Sequence, residues 1–168
     1  MSLIFDTHAH YDDEAFDADR ETLLASMPEH GVGLILDPGC DLESSRRAVE
    51  LARTYPHVYA AVGWHPENCA PYTEDSLDAL RAWAREPKVV AIGEIGLDYY
   101  WEQNPPRELQ QRVLRDQLAL AQELDLPVIV HDREAHADSL AIVQEFPAVR
   151  GVCLLYTSPS PRDRTRSR

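Results

Sequence analysis

Short, almost wholly apolar runs alternate along this chain with longer stretches in which apolar residues recur at three- and four-residue spacing. The runs LIFDTHAH (3–10), GLILDPG (33–39), VYAAVGWHP (58–66), VVAIGEIGLDY (89–99) and PVIVHDR (127–133) predict strands buried on both faces, and a sixth begins at Gly151 and Val152. The stretches between them, 19–30, 42–55, 74–86, 108–125 and 134–146, predict amphipathic helices. Strand followed by helix, five times over, implies a parallel sheet with helices packed outside it. The predicted fold class is α/β.

Strand starts at positions 3, 33, 58, 89, 127 and 151 give about 30 residues per unit, and eight such units need about 240 residues, the usual length of a (β/α)8 barrel. The 168 residues hold five units and a sixth-strand stub. Two architectures fit: a complete open doubly wound sheet, or a (β/α)8 TIM-barrel type of which about the first five β/α units are present. The polar residues favour the barrel. An open sheet that binds a nucleotide carries a Gly-rich loop after its first strand, and here that strand runs into HAHYDDEAF. Polar residues gather instead at the C-terminal ends of several strands, where a barrel keeps its chemistry.

With 44% apolar and 27% charged residues, the chain is too apolar to be disordered. No window supplies the 18 or so uncharged apolar residues of a membrane helix, and Asp6, Asp12, Asp13 and Glu14 are foreign to a signal peptide; a cytoplasmic protein with no membrane partner is expected. Cys40, Cys69 and Cys153 are odd in number and form no CxxC, which predicts reduced, mostly buried thiols. The segment YTSPSPRDRTRSR (156–168) contains no aliphatic residue. Residues 154–168 therefore read as a disordered Ser/Arg tail, or as the translation of a synthetic adaptor joined to an interrupted gene, with the domain proper over 1–153. That tail carries net +3 of the formal −13, which leaves −16 on residues 1–153, where Lys88 is the only lysine. Such a body has no basic face for long duplex DNA; an anionic substrate must be held by metals, helix N-termini or single arginines.

Asp6, His8 and His10 open the chemistry. Residues two apart on a strand share a face, so both imidazoles point one way as a metal clamp, with Asp6 behind them as a supporting partner. The pair alone is weak evidence: seven histidines in 168 positions give about 0.3 such pairs by chance. Glu94 and His131 add to it, because each follows an apolar run of the kind that leaves a charge needing a partner or a metal. Each alone reads equally as a polar group bonded to backbone; three strand ends converging on one barrel mouth point to a metal centre.

FDTHAH at the start, GWHP at 63–66, GEIGLDYY at 93–100 and PVIVHDR at 127–133 resemble the successive signatures of the TatD metal-dependent deoxyribonucleases, a branch of the amidohydrolase-like barrels. The resemblance covers residues 3 to about 153. It implies that His8, His10, Glu94 and His131 bind two divalent metal ions, with Glu94 the bridging, catalytic carboxylate, and that His65 and Asp98 line the substrate site; Arg133, following the ligand His, reads equally as a phosphate contact in that site or as a surface salt bridge with an acidic neighbour. Mixed imidazole and carboxylate ligation suits Zn, Mn or Ni, and Mg where water completes the shell. The family pattern also has a ligand His on the sixth strand, where this sequence reads CLLYTSPSP, and a late Asp; neither is present.

For the intact enzyme the resemblance implies phosphodiester hydrolysis, trimming DNA ends or short oligonucleotides, with no obligate protein partner. A metal-dependent hydrolase of a small amide or ester is the alternative suggested by the acidic body, and an inactive fragment is the third reading for the 168 residues themselves. His30 and His57 read as capping or solvated groups, His136 as exposed, and Trp83 as facing its helix's buried side. Trp64, Tyr99, Tyr100 and Trp101 lie at strand ends, where they either stack on bases or wall the pocket.

Overall fold

A computed structural model of the chain describes residues 3–154. The expected tail falls, from residue 155 on, outside the described residues. Six strands, β1 (Ile4–Asp6), β2 (Val32–Pro38), β3 (Val58–Val62), β4 (Val89–Asp98), β5 (Val128–Arg133) and β6 (Gly151–Leu154), alternate with five helices, α1 (Arg20–Ser26), α2 (Leu42–Thr54), α3 (Glu74–Trp83), α4 (Arg107–Leu124) and α5 (His136–Gln144). All strand pairs are parallel and the sheet order is β1-β2-β3-β4-β5-β6.

That order separates the two architectures. A doubly wound sheet reverses its strand order at a switch point and covers both faces with helices. Here each strand joins its predecessor, so right-handed crossovers place every helix on one side. The large core lies on that side: Val62, Ile92, Ile95, Leu97, Val128 and Val130 pack with residues of α2 to α5. The opposite face carries only a small cluster, Ala61, Ala91 and Ile129, with Leu36 and Leu154 beside it. The architecture is a partial (β/α)8 barrel.

The differences from the predicted elements have local causes. The first helix stops at Ser26 and continues as a 3-10 turn over Met27–His30, because Pro28 lacks the N–H that a further helical turn needs. Gly31 ends the turn at φ 87°, a left-handed conformation that favours glycine. The helices α2 and α3 start where Asp41 and Thr73 close capping boxes with Ser44 and Ser76. The thiols are free, but only Cys69 of the three is buried: Cys40 is half-buried, and Cys153 is exposed on β6, the last strand of the described sheet. Among the described residues no helix is long and apolar enough to cross a membrane.

Candidate metal centre

Strand β1 ends at Asp6, so the histidine pair stands just beyond it. Alternation persists because Ala9 N–H still bonds the Leu36 carbonyl of β2 at 3.1 Å, which leaves His8 and His10 on the inner side. In β4 an irregularity serves the same end. Ile92 and Ile95 both pack in the helix-side core although they are three residues apart, and they pair with Val128 and Val130, only two apart. The extra residue turns Glu94 inward, followed by Gly96 and Asp98. Gly96 has φ 147°, and a Cβ there would lie 1.9 Å from the His131 carbonyl oxygen, so only glycine lets β4 and β5 approach at this level. His131 and Arg133 share the inner face of β5.

The four expected ligands meet. His8 Nε2 and His10 Nε2 are 3.1 Å apart, and Glu94 Oε2 lies 3.2 Å from the first and 3.8 Å from the second. A point equidistant from these three atoms is about 2.0 Å from each, the length of a bond from zinc to nitrogen or carboxylate oxygen. The donor set therefore fits a divalent ion. Glu94 Oε1 faces the other way, 3.1 Å from His131 Nδ1 and 3.8 Å from His65 Nε2. Burial alone raises the Glu94 carboxyl, but hydrogen bonds from His131 and His8 and the surrounding imidazoles outweigh it and hold the group below the usual carboxylate range.

His65 reaches ligand distance of Glu94, but its tautomer argues for another task. Its Nδ1 accepts the Glu67 backbone N–H at 3.3 Å, which leaves the proton of a neutral ring on Nε2. Burial and the neighbouring His131 push its pKa down to about 4, so the ring is neutral and its Nε2–H lies toward Glu94 Oε1, 3.8 Å away. Asp98, expected at the substrate, is fully buried. Its Oδ2 lies 2.9 Å from His131 Nε2 and its Oδ1 accepts Tyr100 N–H at 3.0 Å, so it orients His131 from behind instead of facing the opening. Burial lowers the His131 pKa, but Glu94 and Asp98 together more than reverse this. Arg133 lies against Tyr100 and has no carboxylate partner among the described residues.

Asp6 does not support an imidazole: it accepts the His8 backbone N–H at 3.4 Å. The side chain behind His10 is Asp12, 3.7 Å from Nδ1, and Asp12 and Asp37 form with His10 a third cluster of potential ligands. Neither carboxylate oxygen of Asp37 has a donor, and burial followed by the Asp12 charge pushes its pKa up to about 9. The folded chain thus holds a proton there that the unfolded chain releases above its ordinary carboxyl pKa, so stability from this group falls as pH rises between about 4 and 9. Asp37→Asn is expected to remove that decline: its melting temperature relative to wild type rises from pH 5 to pH 8, whereas a constant difference contradicts the assignment.

The other histidines and aromatics sort by contact. His57 has a buried Nε2 without a partner, not a solvated one, and His30 Nδ1 bonds the Ser26 carbonyl at 2.9 Å. His136 is half-exposed and tied to Asp132 at 2.7 Å. Trp83 packs at the edge of the main core. Trp64 is buried edge-on to Tyr72, and the Tyr99 hydroxyl bonds Asp138, so both wall the structure; Tyr100 and Trp101 remain exposed.

Known proteins share this sequence and fold. The family described as TatD related DNase matches residues 5–163. A metal-dependent hydrolase of Bacillus subtilis, YabD, is 40% identical over 157 residues, covering 92% of this chain and 61% of that protein. A Cronobacter turicensis protein named 3′-5′ ssDNA/RNA exonuclease TatD is 40% identical over 143 residues, covering 85% and 54%. The crystal structure of YjjV, a TatD homolog of Escherichia coli K12, superposes with a TM-score of 0.83 at 37% identity, covering 95% of this chain and 62% of that one. The chain thus spans little more than half the length of these relatives. An inward-turned carboxylate between two histidine pairs, on a fold and sequence shared along nearly the whole chain, makes this protein a member of the TatD family of metal-dependent hydrolases.

Proposed function

We propose that the centre hydrolyses phosphodiester bonds at DNA ends or in short oligonucleotides, in the cytoplasm, as part of a complete barrel. The observation that carries this reading is the two-sided engagement of Glu94, Oε2 toward His8 and His10 and Oε1 toward His131. One carboxylate so placed can be shared by two divalent ions, of Zn, Mn, Ni or Mg. When bound, such ions supply Lewis acidity toward a phosphoryl oxygen and an acidified water. The chain's own residues complete the site. Asp98 keeps the His131 ring in its plane, His65 donates its Nε2–H to a phosphoryl or leaving oxygen, and Arg133 bonds a neighbouring phosphate. Free thiols suit a reducing compartment.

The 168 residues are expected to bind metal but to turn over little, because the ligands of the sixth and last strands in the family pattern are not among them. The test uses this chain and a version completed with the corresponding remainder of YjjV. The completed version is expected to shorten a 5′-labelled oligonucleotide only with added divalent metal, and to stop in excess chelator. Cleavage that persists in chelator, or faster turnover of small esters than of oligonucleotides, contradicts the reading. The second of those outcomes favours the small-substrate hydrolase suggested by the acidic body.

A further inference from the structure

Behind His10, two buried carboxylates are left without a counter-charge. Asp37 shares a face of β2 with Ile35, and Ile35 packs with Val58 and with Leu24 of α1, so Asp37 lies on the helix side of the sheet and not on the inner side where Glu94 meets the histidines. Asp12 stands in the turn that follows the histidine pair. It brings a carboxylate oxygen within 4.8 Å of one of Asp37, and both oxygens lie within that distance of a His10 ring nitrogen. Asp37 is 0% exposed and Asp12 6%.

The other buried carboxylates among the described residues are all engaged: Glu94 by imidazoles, Asp98 by His131 and Tyr100 N–H, and Asp132 by His136 and Ser139. Neither oxygen of Asp37 meets a donor, nor does Oδ1 of Asp12. The arginines of this region do not supply one. Arg20 directs its donors to the carbonyls of Tyr11, Asp12 and Asp13 and to the Asp17 carboxylate, and Arg47 bonds the Asp12 carbonyl and Glu43. They fix the turn that carries Asp12 and leave both buried side chains unneutralised, a costly arrangement unless a cation joins it. A proton on Asp37 cancels one charge of the pair, whereas a divalent cation cancels both. When His10 serves the main centre through Nε2, its Nδ1 keeps the ring proton and faces Asp12 Oδ1 at 3.7 Å, so an ion behind it meets oxygen ligands only. Oxygens up to 4.8 Å apart share a point about 2.4 Å from each, a bond length of Ca²⁺ to oxygen.

We propose that Asp12 and Asp37 hold a hard divalent cation of the Ca²⁺ or Mg²⁺ class, separate from the ions of the main centre, which ties the turn after β1 to the end of β2 and backs His10. Oxygen-only ligation suits these ions, while the imidazole-rich centre draws transition metals. The inference does not depend on the phosphodiesterase reading, since it holds whatever bond the main centre hydrolyses.

The test is calorimetric titration of Ca²⁺, and separately of Mg²⁺, into the 168-residue chain carrying Glu94→Gln, which disables the main centre but leaves Asp12 and Asp37 in place. That variant is expected to bind a single Ca²⁺ or Mg²⁺ ion with Kd about 0.1–1 mM, the range of sites with few charged ligands, and to melt at a higher temperature with the ion present. Adding Asp37→Asn is expected to weaken the binding about 10-fold or more and to abolish the rise in melting temperature. Circular dichroism of the double variant, and Mn²⁺ uptake by Asp37→Asn alone, report on intact folding. If the double variant does not fold, crystals of Glu94→Gln soaked in Ca²⁺ decide: an ion bound by oxygens of Asp12 and Asp37 supports the site, and an ion elsewhere or none overturns it. The proposal is equally overturned if Glu94→Gln takes up neither ion, or if the folded double variant binds as Glu94→Gln does.

Discussion

Glu94→Gln is expected to abolish the metal centre: affinity for Mn²⁺ or Zn²⁺ falls by at least about 100-fold, and hydrolysis by the completed barrel falls by about three orders of magnitude or more. The substitution keeps the size of the side chain and removes its charge. Glu94 is 5% exposed, and its two oxygens are approached by His8, His10, His65 and His131, all within 3.8 Å. An amide can offer one oxygen to one side, but its nitrogen is a donor and repels a cation on the other. Four imidazoles without a shared carboxylate no longer enclose a point that suits a divalent ion. Isothermal titration of the 168-residue chain reads the affinity directly, and wild-type affinity in the variant would show that the ion, if any, sits elsewhere.

Gln117→Leu is expected to be the most damaging substitution outside the site, at about 2–4 kcal/mol, with a melting temperature about 5–15 °C lower. Gln117, on α4, is fully buried. Its Oε1 accepts Trp64 N–H at 2.7 Å and its Nε2 donates to the Trp64 carbonyl at 3.1 Å, clamping the chain just before His65. Leucine fills nearly the same space but leaves a buried N–H and C=O of Trp64 without partners. Thermal or urea unfolding measures the loss. A change below about 1 kcal/mol would mean that the backbone at Trp64 finds other partners and that the clamp carries little.

Much of the fold and of the metal centre is legible in the amino-acid sequence. The alternation of buried runs with amphipathic stretches locates six strands and five helices, because burial on both faces and on one stripe leave different periods. The preference for a barrel rests on where His8, His10, Glu94 and His131 fall, and the sheet order bears it out. The signal that singles out Glu94 and His131, an acid or imidazole directly after an apolar run, is equally present at Asp37 in GLILDPG and is enough to mark that carboxylate as well. Strict alternation does not show that an irregularity in β4 turns Glu94 inward, since the extra residue depends on how β4 registers with β5. Asp98 ends its strand as a substrate contact would, whereas its partner His131 comes from the neighbouring strand and draws it behind the centre. Among the aromatics, Tyr99 differs from Tyr100 through a hydroxyl partner, Asp138, supplied 39 residues later. Local pattern does not contain such contacts.

The most direct measurement is anomalous X-ray scattering from crystals of this chain soaked in Mn²⁺. The account predicts a peak about 2.0–2.3 Å from His8 Nε2, His10 Nε2 and Glu94 Oε2, absent in Glu94→Gln. No peak there, or one there that survives the substitution, contradicts it.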